Sequence, residues 1–228
     1  MMTLLRSTLH MAFMFITVIP YTLLILLARL LGAKGDTRYA IAQKWLTLSV
    51  DSARVIMGIR YQVQGQENLP VGETSPAILL VKHQSTYETF LMPAIMPHPL
   101  AYVFKKELLY VPFFGWSIGS LDMIHIDRSQ RAKAFAKVVE QGKALLDRGV
   151  WVIMFPEGTR IPRGERGSYK SGGTRLAIAT GAPVIPVAVT SAKCWPRKAF
   201  IKQPGVVDVS IGQPIPSVGR DADELMRE

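Results

Sequence analysis

Five short apolar runs constrain this chain more than any other feature: residues 77–81, 100–104, 123–126, 150–155 and 184–189. Each is too short for a globular helix and is bounded by turn or polar residues, as strands buried on both faces are. Helical periodicity lies between them. The clearest helix runs from Arg131 to Arg148, with Phe135, Val138, Val139, Gly142, Leu145 and Leu146 on one face and Gly149 as its stop. Strand, loop and helix in repetition predict an α/β fold, a mainly parallel or mixed sheet flanked by helices. The alternating Ile59-Arg60-Tyr61-Gln62-Val63 predicts an edge strand, and the polar residues after Pro216 predict a frayed end.

A different kind of segment precedes the sheet. From Ser7 to Ala28 there is no Asp, Glu, Lys or Arg, and as a helix this run would reach roughly 33 Å, enough to cross a bilayer. Pro20 would bend such a helix, so a segment dipping into one leaflet is an alternative to a full span. The run is too long for the core of a signal peptide and lacks a small-x-small cleavage site. Arg29, Lys34, Arg38 and Lys44 follow it while only Arg6 precedes it, which places the remainder on the cytoplasmic side. Ile41, Trp45, Leu48, Ser52, Val55 and Ile56 then mark an amphipathic helix, either a core helix or one lying on the membrane. Residues 1–58 therefore divide as membrane-anchoring helices and residues 59–228 as the main domain, with the boundary near Gly58.

Net charge of +10 and a pI near 9.9 imply an anionic partner. A mean hydropathy of +0.20 turns that toward lipid and away from nucleic acid, and the cations follow strands instead of forming one basic helix. The single cysteine, Cys194, excludes an internal disulfide and a cysteine-based zinc site, and fits a reducing compartment.

The residues just beyond each apolar run carry the chemistry. His83 comes after the first, Lys105-Lys106 after the second, Asp127-Arg128 after the third, and Pro156-Glu157-Gly158-Thr159-Arg160 after the fourth. If the strands are parallel neighbours, these groups meet at one sheet edge, where α/β sheets bind ligands. The blander reading is that charges end strands because loops are wet. Glu88, five residues after His83, can orient an imidazole base only if His83 sits on the turn before a helix and Glu88 in its first turn. Ser85-Thr86-Tyr87-Glu88 also reads as a capping box, which would supply that bend and give Glu88 a structural role as well.

A rival motif is Gly115-Trp116-Ser117-Ile118-Gly119, which matches the nucleophile elbow of α/β hydrolases and would make Ser117 a covalent nucleophile. Its context is wrong, because Val111-Pro112-Phe113-Phe114 is no buried strand and only His125 comes later than the serine. His98 and His125 read as loop and sheet-side residues. No P-loop, dinucleotide fingerprint or H-E-x-x-H is present.

In order, His83-x4-Glu88, Lys105-Lys106-Glu107-Leu108, Ile124-His125-Ile126-Asp127-Arg128, Phe155-Pro156-Glu157-Gly158-Thr159-Arg160 and Val184-Ile185-Pro186-Val187 resemble the blocks of the glycerolipid acyltransferases, over about Gln62 to Gln213. The resemblance implies that family's fold, and transfer of a fatty acyl group from acyl-CoA or acyl carrier protein to the sn-2 hydroxyl of lysophosphatidic acid. It makes His83 the general base and Glu88 the carboxylate that orients it. Arg160, Lys105 and Arg128 would bind the substrate phosphate, Glu157, Gly158 and Thr159 would shape the same loop, and Ile185 and Pro186 would line the acyl-donor site. Neither metal nor cofactor is implied beyond the thioester co-substrate. A bacterial inner membrane, with the catalytic domain on its cytoplasmic face, is the implied location. Two departures stand out: the family more often has Asp at Glu88 and Asn at Lys82. A lyso-lipid with another head group, such as a lyso-ornithine lipid, is an alternative acceptor, and a non-catalytic adaptor binding anionic lipid is an alternative of another class.

Overall fold

The computed structural model describes residues 1–72, 74–127 and 131–228. Among these residues, seven strands form one sheet: β1 (Ile59–Gln64), β2 (Ile78–Val81), β3 (Leu100–Lys105), β4 (Ile124–Ile126), β5 (Trp151–Met154), β6 (Val184–Val189) and β7 (Gly205–Ile211). Their order is β1-β7-β6-β2-β5-β3-β4. The strands from β6 to β4 are mutually parallel, whereas β7 runs antiparallel to β6 and carries β1 parallel to itself. The sheet is thus mixed, with the predicted edge strand β1 at one margin.

Alternation along the central strands divides the core in two. Leu79, Val81, Ile153 and Ile185 face one layer, which includes Tyr87, Phe90 and Leu91 of helix α3 (Tyr87–Ile95). Ile78, Leu80, Val152 and Val184 face α5 (Arg131–Leu146) and α6 (Gly172–Thr180). Helices α5 and α6 approach closely because position 142 is glycine: a Cβ there would lie 3.1 Å from Leu176.

The N-terminal segment forms one long helix, α1 (Met2–Leu30), which passes through Pro20 unbroken. By length and composition it could cross a membrane. Ser7, His10, Met14 and Ile25 on one side are buried against the protein, while Leu5, Leu9, Ile16, Leu23 and Leu27 are exposed on the other. Helix α2 (Gly35–Ser52) packs between α1 and α3. Its Trp45 donates to Thr17 at 3.1 Å and meets Phe90 edge-on, so α2 belongs to the core. A wider π-helical turn, Ala53–Met57, takes more residues per turn than an α-helix and so shifts which residues share a face. Val55 is consequently exposed, although simple helical spacing placed it with Trp45.

The C-terminal end corrects the expectation of fraying. Asp221 caps a last helix, α7 (Ala222–Arg227), by accepting from the amides of Asp223 and Glu224 at 3.0 Å. Leu225 is buried against α6, and Ser217 is pinned to the Ala177 and Ala182 carbonyls. A buried leucine, a capping carboxylate and the Thr174 hydroxyl, which donates to the Ala222 carbonyl at 2.8 Å, dock this polar end.

Connections leave β2 and β5 in opposite directions. From β2 the chain crosses over α3 to β3, beyond β5; from β5 it crosses over α6 to β6, beyond β2. The two helices lie on opposite faces, so a crevice opens between the carboxyl ends of these adjacent strands. That is where ligands bind in sheets of this kind.

Candidate active site

His83 lies on the turn between β2 and α3, at the mouth of that crevice. Its Nδ1 is 2.9 Å from Glu88 Oε1. A carboxylate oxygen can only accept, so in the neutral imidazole Nδ1 carries the proton and Nε2 keeps its lone pair. The same Oε1 accepts from the amides of Gln84 and Ser85, both at 2.7 Å, and Ser85 Oγ accepts from the Tyr87 amide at 3.0 Å. Helix cap and imidazole partner are therefore one carboxylate in one place. Glu88 is fully buried, and the positive end of α3 favours its charge. Ser191, on the turn after β6, donates its hydroxyl to the other oxygen, Oε2.

Three further contacts fix His83. Its ring stacks on Phe155, with centroids 3.9 Å apart and planes at 15°. Its carbonyl accepts from the Ile161 amide at 2.8 Å, and its amide donates to Glu157 Oε2 at 2.9 Å. Glu157 is buried, and Lys82 Nζ lies 3.1 Å from its other oxygen. The residues after β5 thus clamp the residues after β2, an arrangement available because the two strands are neighbours.

A cavity of about 1080 Å³ begins at this histidine. Thr86, Lys105, Gly158, Thr159, Arg160 and Lys170 stand on its wall with His83. Arg160 donates to Thr86 Oγ1 at 2.6 Å, and its carbonyl is held by Arg197. Gly158 has φ +64°, and a Cβ on it would lie 3.2 Å from Lys170 Nζ; a glycine is required for the loop to turn here. Among the described residues, no hydrogen bond or ion pair engages the Lys105 ammonium. Its neighbour Lys106 is paired with Asp127, whose hydrogen bond and charge hold that lysine above its ordinary pKa. The deeper wall is apolar and includes Tyr21 and Ile25 of α1, Trp45 of α2 and Phe90 of α3. Tyr102 of β3 also lines it; burial raises its phenol pKa well above the ordinary value.

Not every residue singled out in the sequence reaches the cavity. Ile185 is buried in the middle of β6 among core side chains, and Pro186 lies against Gly212. Neither lines the cavity wall, because both sit in mid-strand instead of at its carboxyl end. Arg128 lies outside the described residues. Conversely, Ser191, Lys170 and Tyr102 stand on the cavity wall or support it and carry no motif that marks them, and Lys82, noted in the sequence only as a departure, pairs with Glu157.

Ser117 lines the same cavity, but not on the strand-to-helix turn that a nucleophile elbow requires. Ser117 belongs to the short helix α4 (Phe114–Ile118), and its hydroxyl is 2.7 Å from Thr22 Oγ1 of α1. His125, the one histidine later in the chain, lies on β4 with Nε2 2.9 Å from Lys137 Nζ. Burial, then the Lys137 charge, lowers its pKa. His98 stacks on Trp151 at 4.5 Å, and its Nδ1 lies 3.0 Å from the Gly149 carbonyl.

Comparison with known proteins agrees with this geometry. A family model described as acyltransferase matches residues 60–190, a span that contains His83, Glu88 and the whole Phe155–Arg160 loop. The chain belongs to the acyltransferase family. It is 44% identical over 191 residues to a 1-acyl-sn-glycerol-3-phosphate acyltransferase of Pseudomonas aeruginosa, covering 84% of this chain and 72% of that one. A mouse protein, 1-acyl-sn-glycerol-3-phosphate acyltransferase alpha, is 29% identical over 184 residues, covering 80% of this chain but only 64% of its own length. The crystal structure of the 1-acyl-sn-glycerophosphate acyltransferase of Thermotoga maritima superimposes with a TM-score of 0.79 at 24% identity, covering 99% of this acyltransferase and 90% of that chain. The mixed sheet and its long N-terminal helix are therefore the fold of a solved acyltransferase.

Proposed function

We propose that this acyltransferase moves a fatty acyl group from acyl-CoA or acyl carrier protein to the sn-2 hydroxyl of 1-acyl-sn-glycerol-3-phosphate, giving phosphatidic acid. The observation that carries the reading is the His83–Glu88 contact at 2.9 Å, at the mouth of a cavity that also presents Arg160. The relatives named for the same reaction support the choice of acceptor.

In this reading His83 Nε2 takes the hydroxyl proton as the glycerol oxygen attacks the thioester carbonyl. The imidazolium that forms is stabilised by Glu88. Collapse of the tetrahedral adduct breaks the carbon–sulfur bond, and the proton on Nε2 passes to the departing thiolate, leaving a free thiol. General-base help of this kind contributes about 10² to 10⁴ in rate. Arg160 and Lys105 hold the acceptor phosphate, the guanidinium by its fork of donors and the ammonium as a point charge. Lys170 adds a third cation to the same wall.

Helix α1 anchors the acyltransferase in the bilayer. Its buried side runs along the protein from Ser7 to Ile25, so its leucine-rich outer face can lie in one leaflet. The basic residues after α1 support a catalytic side on the cytoplasmic face of a bacterial inner membrane.

Arg160→Ala tests the acceptor assignment. It should raise the apparent KM for lysophosphatidic acid by at least about tenfold, the usual weight of a lost charged contact, and leave KM for an unphosphorylated lyso-lipid nearly unchanged. Equal effects on both acceptors overturn the phosphate role of Arg160. Wild-type transfer to lyso-ornithine lipid in preference to lysophosphatidic acid overturns the choice of acceptor.

A further inference from the structure

Glu88 meets His83 through one oxygen only. Oε1 collects three donors, His83 Nδ1 and the amides of Gln84 and Ser85, whereas Oε2 receives one, the hydroxyl of Ser191. No other donor reaches Oε2 among the described residues; the Tyr102 hydroxyl, buried nearby, donates to the Thr89 carbonyl at 3.1 Å. Ser191 and Glu88 are both fully buried, so water cannot replace the contact.

The fold brings Ser191 there. Strand β6 is the neighbour of β2, with Val187 level with Val81, and the Lys82 amide bonds the Val187 carbonyl at 2.9 Å. The chain then turns through Ser191–Lys193, and the Ser191 carbonyl accepts from the amides of Cys194 and Trp195 at 3.1 and 2.9 Å. Trp195 in turn packs on Tyr87 in the first turn of α3. Ser191 is thus a fixed donor aimed at a carboxylate that stands 103 residues away in sequence.

We propose that Ser191 is a positioning residue of this acyltransferase: its hydroxyl fixes the Glu88 carboxylate so that Oε1 stays directed at His83 Nδ1. The need arises from the length of the side chain. A glutamate side chain turns about three bonds before its carboxylate, and donors on Oε1 alone leave the carboxylate free to pivot about that oxygen. A donor on Oε2 removes the pivot. The inference rests on the reading of His83 as a base oriented by Glu88.

The test is steady-state kinetics with palmitoyl-CoA and lysophosphatidic acid on membrane-reconstituted full-length protein, for wild type, Ser191→Ala and Ser191→Thr. The two substitutions are also made on a Glu88→Gln background, and melting temperature is recorded for each. Ser191→Ala should lower kcat about tenfold, equivalent to about 1.4 kcal/mol, with both KM values within about twofold of wild type. Ser191→Thr should restore most of the loss. On the Glu88→Gln background, Ser191→Ala should cost nothing further in kcat, because there is no carboxylate left to orient. A full kcat for Ser191→Ala overturns the proposal, as does an equal fold-loss on both backgrounds, which would mean a general effect on the scaffold. If Ser191→Ala does not fold, Ser191→Cys replaces it: a thiol is a weak donor, so kcat should fall below that of Ser191→Thr, and equality of the two overturns the proposal. Should Glu88→Gln itself retain full activity, the underlying reading of the His83–Glu88 pair fails, a result distinct from failure at Ser191 alone.

Discussion

Glu157 holds His83 by its main chain: Glu157 Oε2 accepts the His83 amide at 2.9 Å, and Glu157 Oε1 takes the Lys82 ammonium at 3.1 Å. A residue in the most recognisable loop of the chain thus acts on the histidine from behind, through the end of β2, and does not stand on the cavity wall. Glu157→Ala leaves a buried amide and an ammonium without their acceptor. It should cost about 1–3 kcal/mol of stability and lower kcat, because the ring loses its fixed backbone. Glu157→Gln keeps an oxygen for the His83 amide and should lose less of both. Melting temperature and kcat measured on the two variants check the order; a Gln variant as impaired as the Ala variant would show that charge, not the amide contact, carries the effect.

The hydroxyl of Ser117 serves packing between α1 and α4, through Thr22. Ser117→Ala should therefore keep kcat within about twofold of wild type and lose about 0.5–1.5 kcal/mol of stability. A fluorophosphonate probe should leave the wild-type protein unlabelled while it is active. Labelling at Ser117 would contradict this.

Alkaline conditions should weaken the fold in a way that Tyr39 makes measurable. Burial of this phenol, partly offset by the Leu100 amide it accepts from, pushes its pKa from 10.0 up to about 12. The folded protein holds this proton more tightly than the unfolded chain. The associated stability is fully present below pH 10 and is lost as pH rises toward 12. Tyr102 shifts in the same direction. Chemical denaturation between about pH 9 and about pH 11 should show wild-type stability falling with pH, and Tyr39→Phe falling less steeply. Identical slopes would contradict the assignment.

The strands and the His83–Glu88 contact were legible because their signals are local. Runs such as Ile78-Leu79-Leu80-Val81 have no alternative to a buried strand, and a spacing of five becomes a contact through a helix cap whose own pattern is written in Ser85 to Glu88. Strand β7 escaped because Val207, Val209 and Ile211 alternate with Val206, Asp208 and Ser210, a weaker signal than a continuous run. The docking of α7 escaped because Leu225, Met226 and the Thr174–Ala222 hydrogen bond meet a surface that no local pattern describes. Ser191 and the role of Lys82 are invisible for a related reason: each matters only through a partner on a neighbouring strand end, and strand order is not written in any one segment. The placement of Ile185 and Pro186 shows the converse, since a motif can mark the strand that builds a site without supplying its wall.

Catalysis in this reading depends on His83 as the base. The direct measurement is the product formed from lysophosphatidic acid and an acyl-CoA by wild type and by His83→Ala, read by lipid mass spectrometry on purified protein with matched melting temperatures. Phosphatidic acid should form with wild type, and its rate should fall by at least about 10² in the variant with KM nearly unchanged. Phosphatidic acid formed at the wild-type rate by His83→Ala would contradict the role of His83.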